Sequence, residues 1–224
     1  TEDGRDIYPE IKRRSLSHAP ENDLVRIAMM NKFGYYVTES SEHVAEYLPY
    51  FIKKTYPDQL EKYNIPLDEY PRRCIVNIEK WSQTRQGLVE DKNLPHERSR
   101  EYASLIMQGI VLDKPFTFNG NVINDGSISN LPADACVEVP CMTSAFGIDR
   151  IIVGALPEQC AALNRTNINV QLMAIQAAVT KRKEDVYQAA WLDLHASAEL
   201  SMEEIKALCD DMFMAHEQWL PEYR

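Results

Sequence analysis

The stretch Phe116 to Gly154, FTFNGNVINDGSISNLPADACVEVPCMTSAFGIDRIIVG, decides the fold class. It carries Asn119-Gly120, Asp125-Gly126 and Asn130-Leu-Pro132 between short β-rich runs. Asn-Gly and Asp-Gly favour tight turns because both residues tolerate positive φ. Ala135-Cys-Val-Glu-Val-Pro-Cys141 alternates as a half-buried strand does, and Ile148 to Val153 predicts another. A small antiparallel sheet is expected here.

On both sides the pattern changes to helix. From Glu21, residues Leu24, Val25, Ile27, Ala28 and Met29 form an apolar stripe that stops at Phe33-Gly34. Tyr35 to Ser41 reads as extended chain. Ser40 or Ser41 then caps a helix carrying Val44, Ala45, Tyr47, Leu48 and Phe51, with Pro49 forcing a kink or a later start. Pro71 suits the first turn of a further segment, with Cys74, Ile75, Ile78 and Trp81 as its buried stripe. A helix from about Glu97 to Val111 is expected to turn Tyr102, Leu105, Ile106 and Ile110 inward. After Pro157 a long helix, Cys160 to Thr180, places Leu163, Ile168, Leu172, Ile175 and Val179 inward, and helices over 181–192 and 201–214 follow. Ser201-Met-Glu-Glu204 is a capping-box signature. Residues 1–20 read as a surface lead-in. Segregated helices and strands place the chain in the α+β class, as one domain over 1–224.

The 224 residues are 45% hydrophobic, enough for a full core, and carry a formal net charge of −10. That charge argues against a duplex nucleic-acid binder, which needs a basic face. No run of about 18 apolar residues suggests a membrane span, and no signal peptide is evident. Five cysteines, at 74, 136, 141, 160 and 209, show no compact disulfide or zinc spacing. Free thiols in a reducing cytoplasm are the expectation. The opening Thr-Glu-Asp-Gly-Arg5 reads as the middle of a longer protein.

No G-x-G-x-x-G, Walker, H-E-x-x-H or G-x-S-x-G motif is present, so motif logic finds no self-sufficient catalytic set. One segment is chemically dense: Thr38, Glu39, Ser40, Ser41, Glu42, His43, Glu46 and Tyr47. On a helix Glu42 and Glu46 share a face, as do His43 and Tyr47. A carboxylate beside an imidazole there suits acid–base work. A Ser N-cap followed by acids that favour the helix dipole accounts for the same residues without chemistry. Arg98-Ser-Arg-Glu-Tyr102 is a second candidate, read either as sugar-reaching arginines or as solvated charge. Asn164-Arg-Thr-Asn-Ile-Asn169 embeds amides in an apolar helix, which suits a subunit interface, a site edge or a solvated face.

Phe33-Gly-Tyr-Tyr-Val-Thr-Glu-Ser-Ser-Glu-His43, Ile65-Pro-Leu-Asp-Glu-Tyr-Pro71, Ser99-Arg-Glu-Tyr-Ala103, Asn130-Leu-Pro132, Cys136-Val-Glu-Val-Pro140 and Asn167-Ile-Asn-Val-Gln171 occur in that order. Together they resemble the C-terminal half of family 4 glycoside hydrolases of the α-galactosidase branch. The resemblance implies a domain like the C-terminal one of lactate and malate dehydrogenases, with an N-terminal Rossmann half absent from this chain. It implies NAD and Mn2+ as cofactors, their ligands lying mostly in that half. It implies a route outside the two-carboxylate scheme: oxidation at C3 of the sugar, removal of the C2 proton, elimination of the aglycone and addition of water. His43, then Glu42 and Glu39, are the candidate bases. Ser41, Tyr47, Ser99 and Arg100 are candidate substrate contacts. An α-galactoside substrate, the Rossmann half and further copies in a dimer or tetramer are the implied partners, in the cytoplasm. A galacturonide or glucoside substrate, or a purely oligomerising role, is the alternative.

Overall fold

The computed structural model describes residues 3–93, 97 and 99–224. In chain order the helices are α1 Tyr8–Ser15, α2 Leu24–Phe33, α3 Ser41–Tyr47, α4 Asp58–Lys62, α5 Glu69–Glu90 and α6 Ala103–Val111. Strands β1 Thr117–Ile123, β2 Cys136–Ser144 and β3 Gly147–Arg150 follow, then α7 Glu158–Thr180, α8 Lys183–Trp191, α9 Leu194–Glu199 and α10 Met202–Ala215. The sheet is antiparallel, in the order β1-β2-β3. This is the expected α+β class. The chain packs as two compact units. The first comprises Thr1–Ile65, Asn119–Val139 and Arg150–Arg224; the second comprises Pro66–Phe118 and Pro140–Asp149.

In the first unit, α2 and α3 enclose a core of Val25, Met29, Val44, Ala45, Leu48, Phe51 and Ile65. Val25 and Met29 are one helical turn apart, as are Val44 and Leu48, so each helix turns one apolar stripe to the other. Helix α2 stops where glycine permits it: Gly34 has φ 95°, and its N–H bonds Met30 O at 2.9 Å. Helix α3 begins with Ser40, whose hydroxyl accepts from the His43 N–H at 3.4 Å. It neither kinks at Pro49 nor starts beyond it. It ends at Tyr47, two residues before Pro49, because the proline ring pushes Leu48 into extended backbone (φ −120°, ψ 144°).

The β1–β2 connection is organised by one fully buried amide. Asn124 donates to the carbonyls of Ile128, Leu131 and Pro132 at 3.0, 3.1 and 2.9 Å, and its Oδ1 accepts from Ile128 N at 2.7 Å. Asp125 (φ 40°) and Gly126 (φ 86°) form the expected turn. Asn119-Gly120 does not turn: it lies inside β1, where pairing with a neighbouring strand overrides its local preference. Farther on, the expected capping box is in place, Ser201 and Glu204 bonding each other's backbone N–H at 3.2 and 2.8 Å.

Four other expectations differ from the structure. The lead-in contains α1. The helix expected from Glu97 starts at Ala103, with Tyr102 as its N-cap, and Arg98 and His96 lie outside the described residues. Helix α5 buries none of its residues; Ile78 and Trp81 are 74% and 61% exposed. In α7 the buried positions are Ala161, Ile168 and Ala177, while Ile175 and Val179 are exposed. Periodicity located the apolar faces of these helices, but a face is covered only where another element reaches it.

In the second unit, Gly109 of α6 lies against the buried Thr143, whose Oγ1 accepts from Phe116 N at 3.0 Å. A Cβ built on Gly109 would meet Thr143 Oγ1 at 2.2 Å and Lys114 O at 3.0 Å. Alanine ordinarily stabilises a helix interior by about 1 kcal/mol over glycine. Here the clash wins, because one obstacle is backbone and the other is a hydroxyl in use. Gly109→Ala is expected to lose about 1–3 kcal/mol, read as a lower Tm. An unchanged or higher Tm contradicts this packing.

Candidate functional site

The segment Gly34 to Tyr47 is fastened from beneath and bare above. At its start, Tyr8 of α1 accepts from Tyr36 N at 2.6 Å and donates to Gly34 O at 3.3 Å, while Lys12 reaches the same carbonyl at 3.4 Å. At its middle stands Asp23, which is 9% exposed. Its carboxylate accepts from Arg26 Nε at 2.5 Å, from the Tyr36 hydroxyl, and from the Ser41 hydroxyl at 3.5 Å. Ser41 in turn accepts from Arg26 N at 3.3 Å. The Arg26 guanidinium lies over the Tyr36 ring, 4.7 Å from its centroid. Burial, then the bond to Asp23, pushes the Tyr36 hydroxyl pKa up, so Tyr36 stays a proton donor to that carboxylate.

The polar side chains predicted as a site stand on this fastened segment. His43 Nδ1 is 3.5 Å from Glu46 Oε2, and both side chains are about half exposed. The His43 and Tyr47 rings are 6.1 Å apart, as their one-turn spacing requires. Glu39 accepts from Ser40 N at 2.8 Å. Burial, with the negative charges of Glu39 and Glu46, raises the Tyr47 pKa. Tyr47 therefore keeps its proton at neutral pH and offers a hydroxyl donor. Glu42 is half-buried on the first turn of α3. Glu39, His43, Glu46 and Tyr47 thus form one acidic, imidazole-bearing patch.

Ser41 is different. It is 6% exposed, and its hydroxyl is committed to Asp23 and Arg26. Ser99 and Arg100 are exposed and belong to the second unit, and Ser99 Oγ accepts from Glu101 N at 3.3 Å. The amides of 164–169 spend their hydrogen bonds within α7: Asn164 on Cys160 O, Thr166 and Asn167 on Leu163 O, and Arg165 on Asn169. Sequence reasoning missed Asp23, Arg26 and Tyr36. Only the i, i+3 spacing of Asp23 and Arg26 was visible, and that spacing is common on helix surfaces.

Among the described residues no group of three His, Cys, Asp or Glu side chains stands close enough to hold a metal ion. No glycine-rich phosphate loop is present either. Among the described residues the donor set does not by itself fit a bound Mn2+.

Comparison with known proteins agrees with the ordered motifs. Residues 1–196 match the family 4 glycosyl hydrolase C-terminal domain. An alpha-galactosidase of Bacillus subtilis (strain 168) is 58% identical over 99% of this chain and 52% of its own length. One of Rhizobium meliloti (strain 1021) is 33% identical over 91% of this chain and 43% of its own. Among solved structures, a 6-phospho-alpha-glucosidase from gut microorganisms, in complex with NAD and Mn2+, superposes with a TM-score of 0.74. It is 20% identical, over 99% of this chain and 52% of that one, and shows the shared fold. The chain spans about half the length of the curated relatives it matches. On this match, which covers residues 1–196, the chain belongs to family 4 of the glycosyl hydrolases, as its C-terminal domain.

Proposed function

We propose that this chain is the substrate-facing part of an NAD- and manganese-dependent α-galactosidase. The 58% identity to the Bacillus subtilis alpha-galactosidase, carried over 99% of the chain, is the observation behind it. A fastened segment with outward carboxylates, an imidazole and a tyrosine hydroxyl supports a sugar-facing role. NAD and Mn2+ belong, in this reading, to a preceding Rossmann half. Five free cysteines favour a reducing, cytoplasmic setting. The 224-residue chain alone is expected to hydrolyse no p-nitrophenyl α-galactoside, even with both cofactors added. Turnover by the purified chain refutes that division of labour.

The chain's own chemical contribution is a base for the C2 proton of the sugar. His43 is first choice because Glu46 can hold the Nδ1–H, leaving Nε2 as the acceptor. Glu42 and Glu39 are next. Tyr47 donates to a sugar oxygen. Ser41 anchors the segment from below. In the full-length protein, His43→Ala, Glu42→Gln and Glu39→Gln separate the candidates. Loss of the base lowers kcat about 10²–10⁴-fold and enlarges the kinetic isotope effect of C2-deuterated substrate. If all three variants stay within ten-fold of wild type, none of His43, Glu42 and Glu39 is the base. A panel of α-galactoside, α-galacturonide and α-glucoside fixes the sugar.

A role in assembly of a dimer or tetramer is supported by Ile175 and Val179, which α7 leaves 58% and 77% exposed. Light scattering is expected to give an oligomer mass that Val179→Glu lowers. A monomeric wild type at high concentration removes this role.

A further inference from the structure

The Asp23 cluster holds an arginine in an unusual half-used state. A guanidinium that serves only to neutralise a buried carboxylate commonly does so through two parallel N–H bonds. Arg26 gives Asp23 its Nε alone. Its guanidinium carbon lies over the Tyr36 ring, 4.7 Å from the centroid, and its backbone N–H bonds the Ser41 hydroxyl. The two Nη groups bond no described residue. The side chain is 24% exposed, and its packing on Tyr36 and its bond to Asp23 hold it in place. Tyr36 itself is 38% exposed, and it lies on the same fastened segment as Glu39 and His43.

Resting on the reading of that segment as the sugar-facing wall, we propose that Arg26 is a substrate-binding, specificity-determining residue. Its Nη fork takes a pair of oxygen acceptors on the glycone. Three features suit this task. The fork is planar, with donors spaced for two oxygens. It is always charged, so its hydrogen bonds are charge-assisted. And it is held before the ligand arrives, which removes the ordering cost that a free arginine pays on binding. Asp23 supplies the counter-charge from below and leaves the outer edge to the ligand. The oxygen pair has two possible sources in this substrate class: neighbouring ring hydroxyls, or a C6 carboxylate.

Arg26→Lys keeps the charge and removes the fork. In the full-length protein it is expected to raise KM for p-nitrophenyl α-galactoside about ten-fold or more, with kcat altered much less. Tyr36→Phe, which keeps the ring under the guanidinium, is expected to raise KM less than Arg26→Lys does. If the fork meets ring hydroxyls, Arg26→Lys weakens galactoside and galacturonide alike. If it meets a C6 carboxylate, the wild type prefers the galacturonide and Arg26→Lys erases that preference. KM values within two-fold of wild type for both sugars overturn the proposal. So does a fall in Tm with kcat lowered and KM unmoved, the signature of a purely structural arginine. Calorimetric titration with methyl α-galactoside and with galacturonate, in wild type and Arg26→Lys, reads the fork without turnover. If the wild type turns over no glycoside but binds either sugar in an Arg26-dependent way, the enzymatic reading fails and the fork stands. Equal binding by the two proteins rejects the fork.

Discussion

The buried carboxylate of Asp23 receives donors from α2, from the segment after it and from the start of α3. A nearly buried anion is costly unless its lone pairs are filled and a cation stands beside it. Arg26, Tyr36 and Ser41 meet that requirement together. None of the three can leave without exposing the others to the cost. The Gly34–Ser40 connection, which has no regular secondary structure of its own, is thereby held against the helices it joins. The outward side chains Glu39, His43 and Tyr47 inherit that rigidity. Precise placement of a few polar groups on a stiff support is what binding and proton transfer demand.

The same device recurs at the β1–β2 connection. Asn124 spends its whole side chain on backbone groups that a sheet ladder does not reach. Asn130 does likewise, exchanging two bonds of 2.9 Å with Leu156. Buried backbone N–H and carbonyl groups must be paired, and irregular chain supplies few partners of its own. Side-chain amides and carboxylates therefore hold these irregular parts of the domain.

Several signals with a local cause were read correctly from sequence. The glycine stop at Gly34, the caps at Ser40 and Ser201, the turn at Asp125-Gly126 and the alternation of β2 each involve atoms a few residues apart. Helix α3 illustrates the limit. Its cap was visible, but its end was misplaced because Pro49 acts on the residue before it. The exposed faces of α5 and α7 mark a deeper limit. Ile78, Trp81, Ile175 and Val179 follow helical spacing as faithfully as Val25 and Met29 do. Spacing specifies an apolar face; it does not specify a neighbour.

For the site, sequence by itself determined that Glu39, Glu42, His43 and Tyr47 share one short capped helix and its lead-in. One-turn spacing and a serine cap dictate that. The family pattern was also legible, being an ordered string of residues. Only the tertiary structure decided that Ser41 points into an anchor, that Asp23 collects its donors from three segments, and that Arg26 gives Asp23 its Nε. Those facts depend on side chains 13 to 18 residues apart meeting around one charge, as the Asp23 bonds to Tyr36 and Ser41 do. Residues so far apart are brought together by the packing of α2 on α3, and no local rule encodes that meeting.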